Sequence, residues 1–213
     1  MRIPDYLAEI GKERMEGFSV EGFVFGTGPT FPKLMLVGEA PGETEINNGI
    51  PFSGRAGKKL MEFLEKIGLS REEVYITSTV RSRPYIWKEK KDRQGNVIRK
   101  KYNRPPTVGE IIAHAPLLDY ELQHVHAPLI VTLGNVGLRR ILGRNMKITE
   151  VHGQLINSPV LHINEENHFI QSKKVYTVFP TFHPASVFYN PKLREAIEED
   201  QERLHKFLKQ ITN

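Results

Sequence analysis

The 213-residue chain carries 30 Lys and Arg against 25 Asp and Glu, a net charge of +5, and no cysteine. That composition excludes disulfides, thiolate metal sites and cysteine-held iron–sulfur clusters. With 39% hydrophobic residues and no apolar run of the ~18 residues a membrane span needs, it reads as a globular protein of a reducing compartment.

In chain order, the N-terminal stretch is mixed in charge and lacks the apolar core of a signal peptide, so a cytoplasmic protein is expected. Leu34 to Val37 predicts a short buried strand. Ala56 to Ile67 predicts a helix, because Leu60, Phe63, Leu64 and Ile67 recur at helical spacing and Gly68 follows. Val74 to Thr79 alternates like a strand. Lys88 to Lys101, with Gln94-Gly95-Asn96 at its middle, reads as a hairpin or a mobile loop.

Thr107 is placed to cap the next helix, with Glu110 as its reciprocal partner. Pro128 to Leu133 is a strongly apolar strand, followed by a short helix over Asn135 to Leu142. Val151 to Ile163 reads as irregular strands and turns, and Val175 to Pro180 as another strand. Pro191 to Ile211 closes the chain as an amphipathic helix. Strands alternating with helices of crossover length imply a three-layer α/β/α sandwich around a mostly parallel sheet, one domain over 1–213 with a basic insertion at about 86–103.

In such a sheet the ligand crevice lies beyond the carboxyl ends of the strands. Three ends carry chemistry: Gly38-Glu39, Ser78 and His183. Gly38 to Gly57 lacks the GxxxxGK[ST] of a phosphate loop, and Glu39, Glu43 and Glu45 would repel a phosphate. The loop suits a neutral ligand held by backbone groups, or a water that a carboxylate activates; Phe52 offers a ring a flat face, or is simply a core residue. His183, fixed by Pro184, is a catalytic candidate or a satisfied structural histidine.

Leu133 to Gly137 lacks dinucleotide-turn spacing and reads as a tight strand-to-helix connection. The remaining histidines show no metal-ligand spacing, so no metal and no cofactor is assigned. Between Arg81 and Arg104 there are ten Lys or Arg and two acids, Glu89 and Asp92, a polyanion-binding pattern or a merely solvated insertion.

Together these segments resemble the uracil-DNA glycosylase superfamily, nearest its family-four type. Gly38-Glu39-Ala40-Pro41-Gly42 with Gly49 to Gly57 is similar to that branch's first motif. Arg83-Pro84, Asn103-Arg104-Pro105 and Glu110-Ile111 resemble its middle segment, Ile130 to Gly134 its central strand, and His183-Pro184 with Asn190-Pro191 its last motif.

The resemblance implies a DNA glycosylase that flips uracil or another deaminated base from the stack and cuts its N-glycosidic bond. Phe52 would stack on the base, with Gly38 and Ser78 at its edge. His183 would stabilise the leaving base and Glu39 would position the attacking water. Arg81, Arg83, Arg104 and Ser186 would contact DNA, and the segment around Ser186 and Val187 would fill the vacated stack.

Two positions depart from that branch. It holds an iron–sulfur cluster with four cysteines, and here Ser82 and His114 occupy two of those places while the N-terminal pair is missing. Its second strand ends in an asparagine, where this chain has Ser78, a single hydroxyl that cannot match a uracil edge with both donor and acceptor. The expected protein is thus a cluster-free, metal-free monomer acting on DNA. The alternatives are a damaged-DNA-binding protein that no longer cuts, and a small-molecule enzyme using Leu133 to Gly137.

Overall fold

The computed structural model describes residues 1–92 and 94–212, which leaves Arg93 of the basic segment outside the described residues. The central sheet has five strands: β2 (Leu34–Gly38), β3 (Val74–Ser78), β6 (Ile130–Leu133), β7 (Ile156–Ile163) and β8 (Phe169–Thr181). Their order is β3-β2-β6-β8-β7, parallel except for β7, which is antiparallel to β8.

β2, β3 and β6 are buried along their whole length, which is why β2 and β6 read as apolar strands. The two-residue period of the strands sorts their side chains onto two faces. Leu34, Leu36, Val74, Ile76, Val131 and Phe179 pack on one side against α3 (Arg55–Lys66) and α7 (Leu193–Thr212). Met35, Val37, Tyr75, Ile130 and Val178 pack on the other against α4 (Val108–His124). This is the expected three-layer sandwich.

The capping box at the start of α4 is present: Glu110 N–H donates to Thr107 Oγ1 at 3.3 Å, and Thr107 N–H donates to Glu110 Oε2 at 2.7 Å. Pro116 lies inside α4 and cannot donate to the carbonyl four residues back. Arg14 fills that gap, donating to Ile112 O at 3.2 Å. The helix α1 (Asp5–Glu13), which the sequence reading did not include, packs against α4 there.

Three expectations change in detail. The basic segment is a regular antiparallel hairpin, β4 (Arg83–Lys91) with β5 (Val97–Asn103), extended at its root by β1 (Val20–Glu21). Val151 to Ile163 is not irregular: a helical turn, α6 (Ile148–Val151), leads into β7. β8 begins at Phe169, because its exposed first half is ordered by pairing with β7 rather than by burial. The strand-to-helix connections α2 (Glu43–Asn48) and α5 (Gly134–Leu142) complete the elements around the crevice.

Candidate active site

The strand order reverses about β2, so the crevice opens at the carboxyl ends of β2, β3, β6 and β8. Gly38 and Ser78 are direct register partners at that edge. The chains stay zipped beyond it: Thr79 N–H donates to Gly38 O at 2.9 Å and Val80 N–H to Glu39 O at 3.0 Å. Ser78 is 7% exposed and its hydroxyl makes no hydrogen bond among the described residues. The Glu39 carboxylate likewise has no protein partner, and burial raises its pKa above the ordinary carboxylate range.

The glycine-rich loop is built around Phe52 and Glu45. A Cβ on Gly38 would lie 2.5 Å from Phe52 Cζ, so glycine at the strand end is what lets the ring lie across it. Phe52 itself has φ +52°, a left-handed conformation strained for an aromatic residue. Two contacts hold it there. Gly57 packs so close that a Cβ would sit 1.9 Å from Phe52 O, and Arg71 donates to the carbonyls of Pro51 and Phe52. The Glu45 carboxylate accepts from the amides of Gly42 at 3.0 Å, Ser53 at 3.1 Å and Gly54 at 2.8 Å. The sequence reading counted Glu45 only as a charge; it is the knot of the loop.

His183 stands opposite. Its ring stacks on Phe52 with centroids 5.7 Å apart and planes 22° from parallel. Ala185 N–H donates to His183 Nδ1 at 3.1 Å, which assigns the proton to Nε2. Withdrawal from water lowers the imidazole pKa to about 4, so at neutral pH it is an uncharged donor. Behind it, Thr181 donates to Asp200 at 2.7 Å and His152 meets the same carboxylate at 2.8 Å, anchoring the end of β8 to α7. Glu39, Gly38, Phe52, Ser78 and His183 therefore converge on one crevice.

The four residues expected to contact DNA do not join them. Arg81 is 1% exposed, paired with Glu121 at 2.5 Å and bonded to the Ser78 carbonyl. Arg83 is buried between Glu21 and Asn103, each at 2.6 Å, and Arg104 is bound by both oxygens of Glu110. Guanidinia turned inward onto carboxylates and other internal acceptors do not offer their forks to phosphate. These arginines anchor the hairpin root and brace the end of β3. Ser186 Oγ is buried with no hydrogen-bond partner among the described residues, and Val187 is half-buried, packed on the core. The exposed aromatics of that loop are Phe188, at 41%, whose ring lies against Arg55, and Tyr189, at 90%.

The residues at the cluster positions do not fit an iron–sulfur group. His114 is fully buried with both ring nitrogens engaged: Nε2 donates to Gly11 O at 3.0 Å and Nδ1 accepts from Arg81 N–H at 2.7 Å. Ser82 is buried beside Arg81, and Met15, Val80 and Ala113 pack as an apolar cluster between the N-terminal segment and α4. Hydrogen bonds and packing tie these segments together.

The family model of the uracil DNA glycosylase superfamily matches residues 25–210. A type-4 uracil-DNA glycosylase of Sulfurisphaera tokodaii is 38% identical over 184 residues, covering 83% of this chain and 71% of that protein. The one from Saccharolobus solfataricus is 36% identical over 180 residues, with 82% and 71% covered. The one from Thermotoga maritima is 33% identical over 189 residues, with 87% and 83% covered.

Proposed function

This chain belongs to the uracil DNA glycosylase superfamily, and from that membership we propose that it removes uracil from DNA by hydrolysing the N-glycosidic bond. The observation that carries the reading is the pair formed by His183 and Phe52. A neutral imidazole with its tautomer fixed by Ala185 is set against a ring held in a strained backbone conformation. Strain of this kind persists where surrounding structure over-determines it, as at ligand clamps.

In the reaction, the flipped base stacks on Phe52 with its edge toward Gly38 and Ser78. The oxygen of a water molecule bonds to the anomeric carbon of the sugar, and its proton passes to the Glu39 carboxylate. The bond from that carbon to the base nitrogen breaks, and its electron pair leaves with the base. The base departs as an anion whose oxygen accepts the Nε2–H of His183, a preorganised donor in a site shielded from water. The desolvated carboxylate of Glu39 also faces the positive charge that develops on the sugar. On this reading Tyr189, the most exposed aromatic of the loop, enters the vacated stack in place of Val187, since Phe188 lies against Arg55.

Excision assays test this. Oligonucleotides carrying one uracil, hypoxanthine or xanthine are incubated with the protein in EDTA, alongside Glu39→Ala and His183→Ala. Uracil release lost in both variants is the expected result, and the same experiment tests whether the protein works without metal. Ser78 favours a second reading, a damaged-DNA-binding protein without turnover, because its lone hydroxyl cannot pair both donor and acceptor of a uracil edge. Salt-sensitive binding with no base release would establish that reading instead. We take the protein to act as a cytoplasmic monomer, which sedimentation alone and with DNA checks for its oligomeric part.

A further inference from the structure

The β4–β5 hairpin has two unlike faces. Register partners on an antiparallel pair share a face, so Trp87 with Lys101 and Glu89 with Arg99 lie on one side. That side is neutralised from within. Glu21 binds Lys101 and Arg83, Arg99 lies 5.3 Å from the Trp87 ring centroid, and Glu43 of α2 borders the same groove of about 590 Å³. The opposite side carries Ile86 with Tyr102, Lys88 with Lys100, and Lys90 with Ile98.

No acid stands on that second face among the described residues. Lys88, Lys90 and Lys100 are exposed and make no ion pair there. The acids of the hairpin are committed elsewhere. Glu89 is on the other face, and Asp92 holds the turn by accepting from Gln94 N–H at 2.8 Å and Asn96 N–H at 2.9 Å. Lys88 directly opposite Lys100 is a like-charge pair, which destabilises a sheet. A two-stranded ribbon has little stability to spare, so such a face is explained by a ligand that supplies the missing negative charge.

The hairpin also stands in the right place. Its root leaves the carboxyl end of β3, the edge strand of the crevice, and touches the glycine-rich loop through Arg83 and Glu43, 3.9 Å apart. The His183–Tyr189 loop follows β8, on the other side of β2 and β6. The two elements therefore flank the crevice.

We propose that the acid-free face of the β4–β5 hairpin, through Lys88, Lys90 and Lys100, grips the phosphodiester backbone of duplex DNA on one side of the flipped nucleotide. The proposal rests on DNA being the substrate but not on the excision chemistry. From the root at Arg83 to Lys88 the arm rises about 17 Å at ~3.3 Å per residue. That corresponds to about five base pairs at ~3.4 Å each.

The test compares wild type, Lys88→Gln/Lys90→Gln/Lys100→Gln, and Lys173→Gln/Lys174→Gln, the last on β8 as a control for bulk charge. Binding to undamaged and uracil-containing duplexes is measured from 50 to 200 mM salt. The hairpin variant should lower the slope of log affinity against log salt by roughly 2 to 3, at ~0.9 per phosphate contact, and the control should leave it unchanged. Melting temperature should stay level or rise, since the substitutions remove a like-charge pair. The KM for uracil release should rise while kcat holds, and only duplexes extending beyond about five base pairs on one particular flank should show the difference.

An unchanged slope, an equal fall in the control, or equal dependence on both flanks overturns the proposal. If the wild type releases no base yet the slope falls as stated, the glycosylase reading fails and the hairpin assignment stands. Wild-type binding that ignores salt sinks the hairpin assignment whatever happens to excision.

Discussion

Acidification gives the most direct handle on how this fold is held. Protonating His114 would place a hydrogen on Nδ1, against the Arg81 N–H it now accepts, in a fully buried site and beside a guanidinium. Burial, then the Arg81 charge, lowers its pKa from 6.5 to about 3. The unfolded chain therefore takes this proton near pH 6.5 while the folded chain refuses it until about 3. Stability linked to His114 is complete above pH 6.5 and is lost as pH falls through that window. The loss is roughly 1 kcal/mol at pH 5.5 and roughly 3 kcal/mol at pH 4.5.

The perturbation is His114→Gln, whose amide offers a donor to Gly11 and an acceptor to Arg81 but does not titrate. Urea unfolding of both proteins at pH 7.5, 5.5 and 4.5 gives the readout. Whatever the gap between them at pH 7.5, it should shift in favour of the variant by those amounts. Carboxylates common to both proteins cancel in the difference. Parallel curves would refute the assignment of a buried neutral histidine.

The chemistry gives four further predictions. Glu39→Gln should slow base release by about 10²- to 10⁴-fold with DNA affinity little changed. In the wild type, the acid limb of the single-turnover rate should lie above the ordinary carboxylate value of 4.5, because burial raises Glu39; a limb at or below it would exclude Glu39 as the base. Arg71→Ala removes the donors to Pro51 and Phe52 and should release strain of ~1–3 kcal/mol, costing at least tenfold in excision; full activity would mean Phe52 needs no such brace. Ser78→Asn should raise the preference for uracil over hypoxanthine or xanthine by about ten- to a hundredfold, or 1–3 kcal/mol, read as ratios of kcat/KM; an unchanged ratio would take residue 78 away from the base edge.

The sheet centre was legible because β2 and β6 are buried on both faces and read as apolar strands, while β3 was legible from its alternation. Thr107 and Glu110 were legible because a capping box is local. The arginines were misread for the opposite reason. Arg81 and Arg83 look like a surface patch beside their sequence neighbours, but their carboxylates, Glu121 and Glu21, lie 40 and 62 positions away. β7 and the first half of β8 carry no clear alternation, since a half-exposed edge hairpin is set by pairing rather than burial. Arg71 gave no signal: nothing in its own neighbourhood marks a residue that reaches back to Phe52.

The Glu45 knot bears on how fast this protein engages a lesion. Three amides of the loop are already satisfied by a carboxylate of the loop itself, so they require neither solvent nor nucleic acid to come to rest. No ordering step then separates encounter from recognition on this side of the crevice. On the proposed function the slow event should then be extraction of the nucleotide from its helix, and association traces should lack a lag from loop closure.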